Sequence, residues 1–124
     1  MSYSGIISIV DDDEFILVAL DSLLRSHGYT VCTYSSAFAF LNSCGPEQSD
    51  FLISDIQMPG MCGVTMYETL AAMNIHIPTV FITGMPGSPP KFSANVRRPE
   101  GYFAKPFDTH ALLMCIEKIL KSCL

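Results

Sequence analysis

Short apolar runs alternate along the chain with longer stretches in which apolar and polar residues mix. The apolar runs predict five buried strands, at Ile6–Val10, Tyr29–Tyr34, Phe51–Asp55, Thr79–Thr83 and Tyr102–Ala104. The mixed stretches between them have helical spacing. Continuous apolar strands separated by helices are typical of a parallel sheet covered on both faces. The pattern therefore predicts an α/β fold built from about five strand–helix units.

Boundary residues locate most of the helices. The first helix is predicted over Glu14 to His27, and Gly28 follows it as a left-handed C-cap. Ser36 is placed to cap a short second helix, and Asp108 to cap the last one. A further helix is predicted over Val64–Met73.

The connection between the fourth and fifth strands breaks the pattern, because it contains Pro86, Pro89, Pro90 and Pro99. A proline inside a helix costs about 3 kcal/mol, although the first turn accepts one. We therefore expect a short or disrupted fourth helix, of at most two turns over about 90–97.

The first helix carries six consecutive apolar residues, Phe15–Leu20, which cannot all face the sheet at 3.6 residues per turn. We expect Ile16 and Leu20 to point inward, and Leu17 and Val18 to be partly exposed. Exposed apolar residues often mark a partner surface.

Composition narrows the class of protein. The chain has 124 residues, of which 49% are hydrophobic and 15% charged, so it is not disordered as a whole. The formal net charge of −5 disfavours a basic nucleic-acid-binding module. We expect one domain, 1–124, with no output domain, no membrane span and no signal peptide. The five cysteines have no disulfide or zinc spacing, which favours a reducing, cytoplasmic setting.

Polar residues whose side chains can take part in catalysis or metal binding follow four of the predicted strands. The first strand ends in the acidic run 11–14, the third in Asp55 and the fourth in Thr83, and Lys105 follows the fifth. The carboxyl ends of parallel strands form the usual ligand edge of such a sheet. Clustered carboxylates repel one another unless a hard cation such as Mg²⁺ relieves them, and a lysine adds positive charge for an incoming phosphoryl group. These residue types alone do not decide which carboxylate is the nucleophile.

Four segments together resemble the receiver domain of two-component response regulators: IVDDDE at 9–14, LISDIQMPGMCG at 52–63, VFITG at 80–84 and FAKPF at 103–107. The resemblance covers essentially the whole chain, and the flanking residues look most like the FixJ-type regulators. It implies the (βα)5 flavodoxin-like receiver fold, whose five-stranded parallel sheet has the order 2-1-3-4-5.

The resemblance also implies a phosphorylation site and a metal site. Asp55 would be the phosphoacceptor. Asp12 would bind Mg²⁺ directly, and Asp11 would act near the ion through water. Asp55 itself and the backbone carbonyl of Gln57 would complete the protein ligands.

Three further residues take roles in the switch by the same resemblance. Thr83 would bond the phosphoryl group and report its presence, and Lys105 would pair with that group. Tyr102 stands where the family has an aromatic residue that changes rotamer. Catalysis by Asp55, Thr83 and Lys105 would be limited to the domain's own phosphorylation and dephosphorylation.

The implied partner is a sensor histidine kinase. Kinases of this family dock near the first helix, which makes Leu17 and Val18 candidates for the kinase-facing surface. Phosphorylation would favour a homodimer, and the prolines between strands four and five imply that the family's usual signalling face is remodelled. DNA would be bound only through an output domain that this chain does not contain.

Three other functions remain open from the sequence. The chain could be a pseudo-receiver that binds proteins without phosphorylation. It could be the N-terminal half of a DNA-binding transcription regulator. A small phosphatase or transferase with an aspartate nucleophile is disfavoured, because the chain has no room for a substrate domain.

Overall fold

The computed structural model describes residues 5–84, 96–105 and 107–122. Its strands are β1 (Ile6–Val10), β2 (Thr30–Tyr34), β3 (Phe51–Asp55), β4 (Thr79–Thr83) and β5 (Gly101–Ala104). Its helices are α1 (Glu14–Ser26), α2 (Ala37–Leu41), α3 (Gly45–Gln48), α4 (Gly63–Ala72) and α5 (Thr109–Ser122).

The strands form one parallel sheet of order β2-β1-β3-β4-β5, which confirms the predicted fold and strand order. Val10 lies beside Ser54, Asp55 beside Ile82, and Thr83 beside Ala104. The carboxyl ends of the four strands β1, β3, β4 and β5 therefore lie side by side at one edge of the sheet.

Each face of the sheet packs its own apolar core. On one face, α1 and α5 supply Leu20, Leu24, Leu112 and Ile116 to a cluster with the apolar odd-numbered residues of β1 and β3. On the other face, α2 and α4 supply Phe40, Met66 and Leu70 to a second cluster. The two cores fix the sheet between helical layers, and so fix the edge at which the strands end.

The prediction for α1 is wrong at Leu17. Leu17, Leu20 and Leu24 are the buried residues of the helix, and Leu17 is only 8% exposed. Their i, i+3, i+7 spacing forms one stripe, which leaves Ile16 at its margin. Val18 is 67% exposed, as predicted. Leu17 therefore belongs to the core and is withdrawn from the partner surface.

The predicted caps are present. The Ser36 hydroxyl accepts from the backbone N–H of Ala39, and Asp108 Oδ1 accepts from that of His110. Gly28 has a φ of +91°, the left-handed conformation expected after α1. The sequence missed the short helix α3, whose Pro46 sits in the first turn. The predicted helix over about 90–97 lies mainly in 85–95, outside the described residues.

Arg25 connects α1 to β2, one of the two outer strands of the sheet. Its Nε donates to Asp21 Oδ1 over 2.6 Å, and its Nη2 donates to the carbonyl of Val31 in β2 over 2.8 Å.

Across the described ranges, none of the helices has the length and apolar character needed to cross a membrane.

Candidate phosphoryl and metal site

Asp11 is held at the end of β1 by local hydrogen bonds. Its Oδ1 accepts from the backbone N–H of Asp13 over 2.9 Å. Asp13 in turn caps α1 by accepting from the N–H of Phe15. Asp11 is fully buried, whereas Asp12 is exposed beside it. The turn into α1 therefore fixes one buried carboxylate and leaves its neighbour accessible to solvent.

Asp55 ends β3 beneath the start of α4. The backbone there leaves no space for a side chain at position 63, because a Cβ on Gly63 would lie 2.2 Å from the carbonyl oxygen of Asp55. The N–H of Gly63 donates to the carbonyl of Ile56 over 2.8 Å. This close approach explains why the sequence needs glycine eight residues after Asp55.

Lys105 brings the strand ends together. Its Nζ lies 3.0 Å from Asp11 Oδ2 and 3.4 Å from Asp55 Oδ2. Its backbone N–H donates to the carbonyl of Thr83 over 2.7 Å, which extends the pairing of β5 with β4 beyond Ala104. One ammonium thus faces two buried carboxylates.

The charges in this group shift each other's titration. The pKa of Asp55 is raised from 3.8 to about 6, mainly by burial and then by the nearby Asp11 carboxylate. Lys105 and the backbone N–H of Gln57 lower this pKa, but by less. Burial alone would lower the pKa of Lys105, but its contacts with Asp11 and Asp55 outweigh that effect and raise it. Lys105 therefore remains an ammonium, while Asp55 is a destabilised carboxylate at neutral pH.

The carboxylates are arranged to accept a cation. One oxygen from each of Asp11, Asp12 and Asp55 lies within 4.8 Å of the others. In an octahedral Mg²⁺ shell, ligand oxygens on opposite sides of the ion lie about 4.2 Å apart. The spacing of the three carboxylate oxygens is therefore close to the size that Mg²⁺ requires. Asp11 Oδ2 is buried and accepts no hydrogen bond within the described part of the chain, despite its ion-pair distance to Lys105. A buried carboxylate oxygen that has only the Lys105 ammonium beside it is suited to a metal ligand, and the residues fit a hard divalent ion.

Gln57 lies at the same edge. Its backbone N–H is 3.4 Å from Asp55 Oδ1, a long hydrogen bond that holds the loop after β3 near the carboxylate. The side chain of Gln57 is exposed.

Thr83 lies in β4, next to the strand of Asp55, and Tyr102 lies in β5, one strand further out. Thr83 is half-buried at the end of β4. Tyr102 lies directly beside Phe81 in the sheet, and its ring stacks on Phe81 with centroids 6.0 Å apart and an interplanar angle of 18°. The structure thus brings Asp11, Asp12, Asp55 and Lys105 into one group. Tyr102 is set back from this edge of the sheet, because it pairs with Phe81, two residues before Thr83 in β4.

Sequence reasoning missed two features of this region. Phe15, at the start of α1, is 87% exposed, which makes it the most exposed of the large apolar residues in the described part of the chain. Its place in the apolar run 15–20 was the available signal. The steric role of Gly63 was also missed, although the residue stands in a recognised motif.

Comparison with known proteins places these features in a family. Residues 7–117 match the family described as the response regulator receiver domain. The response regulator protein TmoT of Ectopseudomonas mendocina is 41% identical over 94% of this chain and 53% of its own length. The transcriptional regulatory protein FixJ of Rhizobium meliloti is 31% identical over 90% of this chain and 55% of its own length.

A solved structure agrees with these relatives. The response regulator StyR superposes with a TM-score of 0.85 and 37% identity, covering 96% of this chain and 60% of StyR. The chain spans about half the length of the curated relatives that it matches.

Proposed function

Because the chain belongs to the response regulator receiver domain family, we propose that a sensor histidine kinase phosphorylates it on Asp55 and so switches its conformation. It is a receiver domain of two-component response regulators, a signalling domain whose family interacts with sensor kinases.

The observation that carries the proposal is the buried Asp55 carboxylate beside Asp11 and Lys105. In the transfer, an Asp55 oxygen bonds to phosphorus as the bond from phosphorus to the kinase histidine nitrogen breaks. The electron pair of that bond returns to the nitrogen, which takes a proton from solvent. Lys105, already an ammonium 3.4 Å from Asp55 Oδ2, neutralises charge on the phosphoryl oxygens.

We assign the cation to Mg²⁺, held by Asp11, Asp12, Asp55 and the backbone carbonyl of Gln57. The acidic group and the buried Asp11 Oδ2, which meets no geometric hydrogen bond in the described part of the chain, support a hard divalent ion. When bound, the ion would screen the carboxylates and the phosphoryl oxygens. Asp11 and Asp55 orient the site through the backbone contacts that fix them, and Asp12 is reachable from solvent.

Thr83 and Tyr102 form the proposed switch. Thr83 lies at the end of the strand beside Asp55, where its hydroxyl would bond a phosphoryl group. Tyr102 shares the sheet face of Thr83 and is 39% exposed, so its ring has access to both solvent and the protein interior. The phosphoryl contact would shift the populations of two conformations of this ring.

Val18 remains the candidate for the kinase-facing surface, and Phe15 joins it. The two side chains are three positions apart on the outer face of α1, opposite the buried stripe. Both are apolar and largely exposed, which suits a partner contact.

A second candidate concerns the whole protein. The chain covers 53% of TmoT and 55% of FixJ, and FixJ is a transcriptional regulatory protein. We propose that the receiver is the N-terminal half of such a regulator in the cytoplasm, and that phosphorylation favours a homodimer that controls an output domain. A full-length chain would then bind DNA more tightly after phosphorylation.

Intact mass tests the central proposal. Incubation with Mg²⁺ and acetyl phosphate should add one phosphoryl group to the wild type, and none to Asp55→Asn or in EDTA. Glu117→Gln, an exposed change on α5, is the matched control and should be modified like the wild type. An unmodified wild type, under conditions that modify a known receiver, would favour a pseudo-receiver.

A further inference from the structure

Three aromatic rings form a row across the sheet face that Tyr102 occupies. Phe81 is fully buried in β4, with Tyr102 stacked on it from β5. Tyr67 of α4 meets the same Phe81 ring edge-on, with centroids 5.6 Å apart and an interplanar angle of 76°. Phe81 therefore contacts a tyrosine from a neighbouring strand and another from a helix.

Tyr67 has a second contact at its other end. Its hydroxyl donates to the backbone carbonyl of Arg97 over 2.7 Å, although the two residues are 30 positions apart. Arg97 comes shortly before β5, where the N–H of Glu100 begins the pairing by donating to the carbonyl of Thr79. Tyr67 thus ties α4 to the backbone that leads into the strand of Tyr102.

Both contacts affect the same side chain. The Tyr67 ring packs against the Phe81 ring on which Tyr102 stacks, and the Tyr67 hydroxyl holds the backbone that leads into the strand of Tyr102. The Tyr102 ring is partly exposed, so its stack on Phe81 is an identifiable contact that holds it in this position. Aromatic pairs contribute a modest free energy beyond their burial, which is suitable for a state that must be left readily.

We propose that Tyr67 is a positioning residue of the switch: it holds Phe81 and the Arg97 backbone so that Tyr102 rests stacked on Phe81. Tyr67 then sets how many molecules have Tyr102 in the resting position before any phosphoryl group arrives. This inference rests on the proposed function for the switching role of Tyr102. It adds α4 to the elements that control the switch.

The test replaces one hydroxyl. Tyr67→Phe keeps the ring that packs on Phe81, and the exposed Arg97 allows water to replace the lost donor, so the variant should fold. Ring-¹³C-labelled tyrosine reports each ring by NMR, with the Tyr102 signal assigned from Tyr102→Phe. In protein without metal or phosphoryl donor, we expect the Tyr102 signal to move toward that of an unstacked tyrosine. The share of stacked molecules relative to unstacked ones should fall about threefold to tenfold.

Tyr34→Phe is the matched control, because Tyr34 also meets a phenylalanine edge-on, Phe40 at 5.1 Å, but at the opposite edge of the sheet, in β2. It should leave the Tyr102 signal in place. Unchanged Tyr29 and Tyr34 signals in Tyr67→Phe would show that the fold is intact. A Tyr102 signal that stays at its wild-type position in Tyr67→Phe, or that moves equally in Tyr34→Phe, would overturn the proposal.

A second arm separates this inference from the proposed function. Beryllofluoride with Mg²⁺ mimics an aspartyl phosphate, and it should move the Tyr102 signal in the same direction as Tyr67→Phe does. Its half-saturating concentration should be about threefold to tenfold lower for Tyr67→Phe than for the wild type. A wild type that does not respond to beryllofluoride would contradict the role of Asp55, whereas the resting-state spectra would still decide on Tyr67.

Discussion

The Asp55 carboxylate costs the metal-free protein stability at neutral pH. Its pKa is raised from 3.8 in the unfolded chain to about 6 in the folded one, first by burial and then by Asp11. A raised pKa favours folding fully below about pH 4, and that contribution is lost as the pH rises through 6. Above pH 6 the folded chain therefore holds a charge that the unfolded chain accommodates better.

We expect Asp55→Asn to be about 1–2 kcal/mol more stable than the wild type at pH 7.5 in EDTA. The gain should shrink as the pH falls from 6 to 4, as measured by urea unfolding at each pH. Glu117→Gln, which removes an exposed carboxylate, should show no such trend. If the gain in stability of Asp55→Asn persisted at pH 4, the raised pKa of Asp55 would not be its cause.

Gly63 is the second residue on which the site depends. A methyl group there would lie 2.2 Å from the Asp55 carbonyl oxygen and 2.9 Å from Ser54 Oγ, and the backbone of β3 cannot move away cheaply. We expect Gly63→Ala to lower the free energy of unfolding by about 2 kcal/mol or more, and to slow phosphorylation by displacing Asp55. Urea unfolding and intact mass measure the two effects.

Gly84→Ala is the matched control for that change, since a Cβ at Gly84 meets nothing within 4 Å among the described residues. If Gly63→Ala were as stable and as readily phosphorylated as Gly84→Ala, the close approach to Asp55 would be irrelevant to the site.

Among the elements, α1 separates two roles along one apolar run. Leu17 faces the core with Leu20 and Leu24, whereas Phe15 and Val18 face solvent. We expect Phe15→Ser with Val18→Ser to slow phosphoryl transfer from the cognate kinase about tenfold, because two exposed apolar contacts are lost. Phosphorylation by acetyl phosphate should be unchanged.

Met114→Ser is the control, since Met114 is also exposed and apolar but lies on α5. Equal transfer to the double variant and the wild type would remove α1 from the kinase surface. An equal loss in Met114→Ser would show that the effect is general to apolar exposure.

The strands could be predicted more closely than the helices. The bounds of β1, β3 and β4 agree with the sequence prediction, because a strand buried on both faces is a short apolar run between polar residues. The α1 run gave no such contrast. Because six apolar residues follow one another, the sequence does not show which of them face the core. That choice depends on packing against β2 and α5, and Leu17 was therefore predicted wrongly.

At the scale of the whole molecule, a bound cation should stabilise the fold, because the acidic group exists only when β1 and β3 are paired. Mg²⁺ at 10 to 100 times its dissociation constant should add about 1.4–2.7 kcal/mol to the free energy of unfolding. Thermal unfolding with and without MgCl₂ at pH 7.5 measures the gain.

Asp12→Asn tests that link with little risk to the fold, since Asp12 is exposed. The variant should lose most of the gain from Mg²⁺. A gain of equal size in Asp12→Asn, or in NaCl of matched ionic strength, would mean that the ion acts on the protein without binding at this site.

That the side chains of the site lie together could be predicted from the sequence, but their individual contacts could not. Asp11, Asp12, Asp55 and Lys105 follow from strand ends that must meet in a parallel sheet. The ion pair of Lys105 with Asp11 depends on side-chain reach past the two strands between β5 and β1, which the spacing of residues does not encode. The contacts of Tyr67 with Phe81 and Arg97 gave no signal in the sequence, because they join segments distant along the chain.

The hydrogen bond from Arg25 to Val31 affects how copies of this chain can associate with one another. β2 is one of the two outer strands of the sheet, and a strand from a second molecule could extend the sheet there by bonding its free backbone groups. Arg25 already occupies the Val31 carbonyl and is itself held by Asp21. An incoming strand would have to displace the guanidinium from that carbonyl, so we expect this side chain to hinder edge-to-edge aggregation in a concentrated solution.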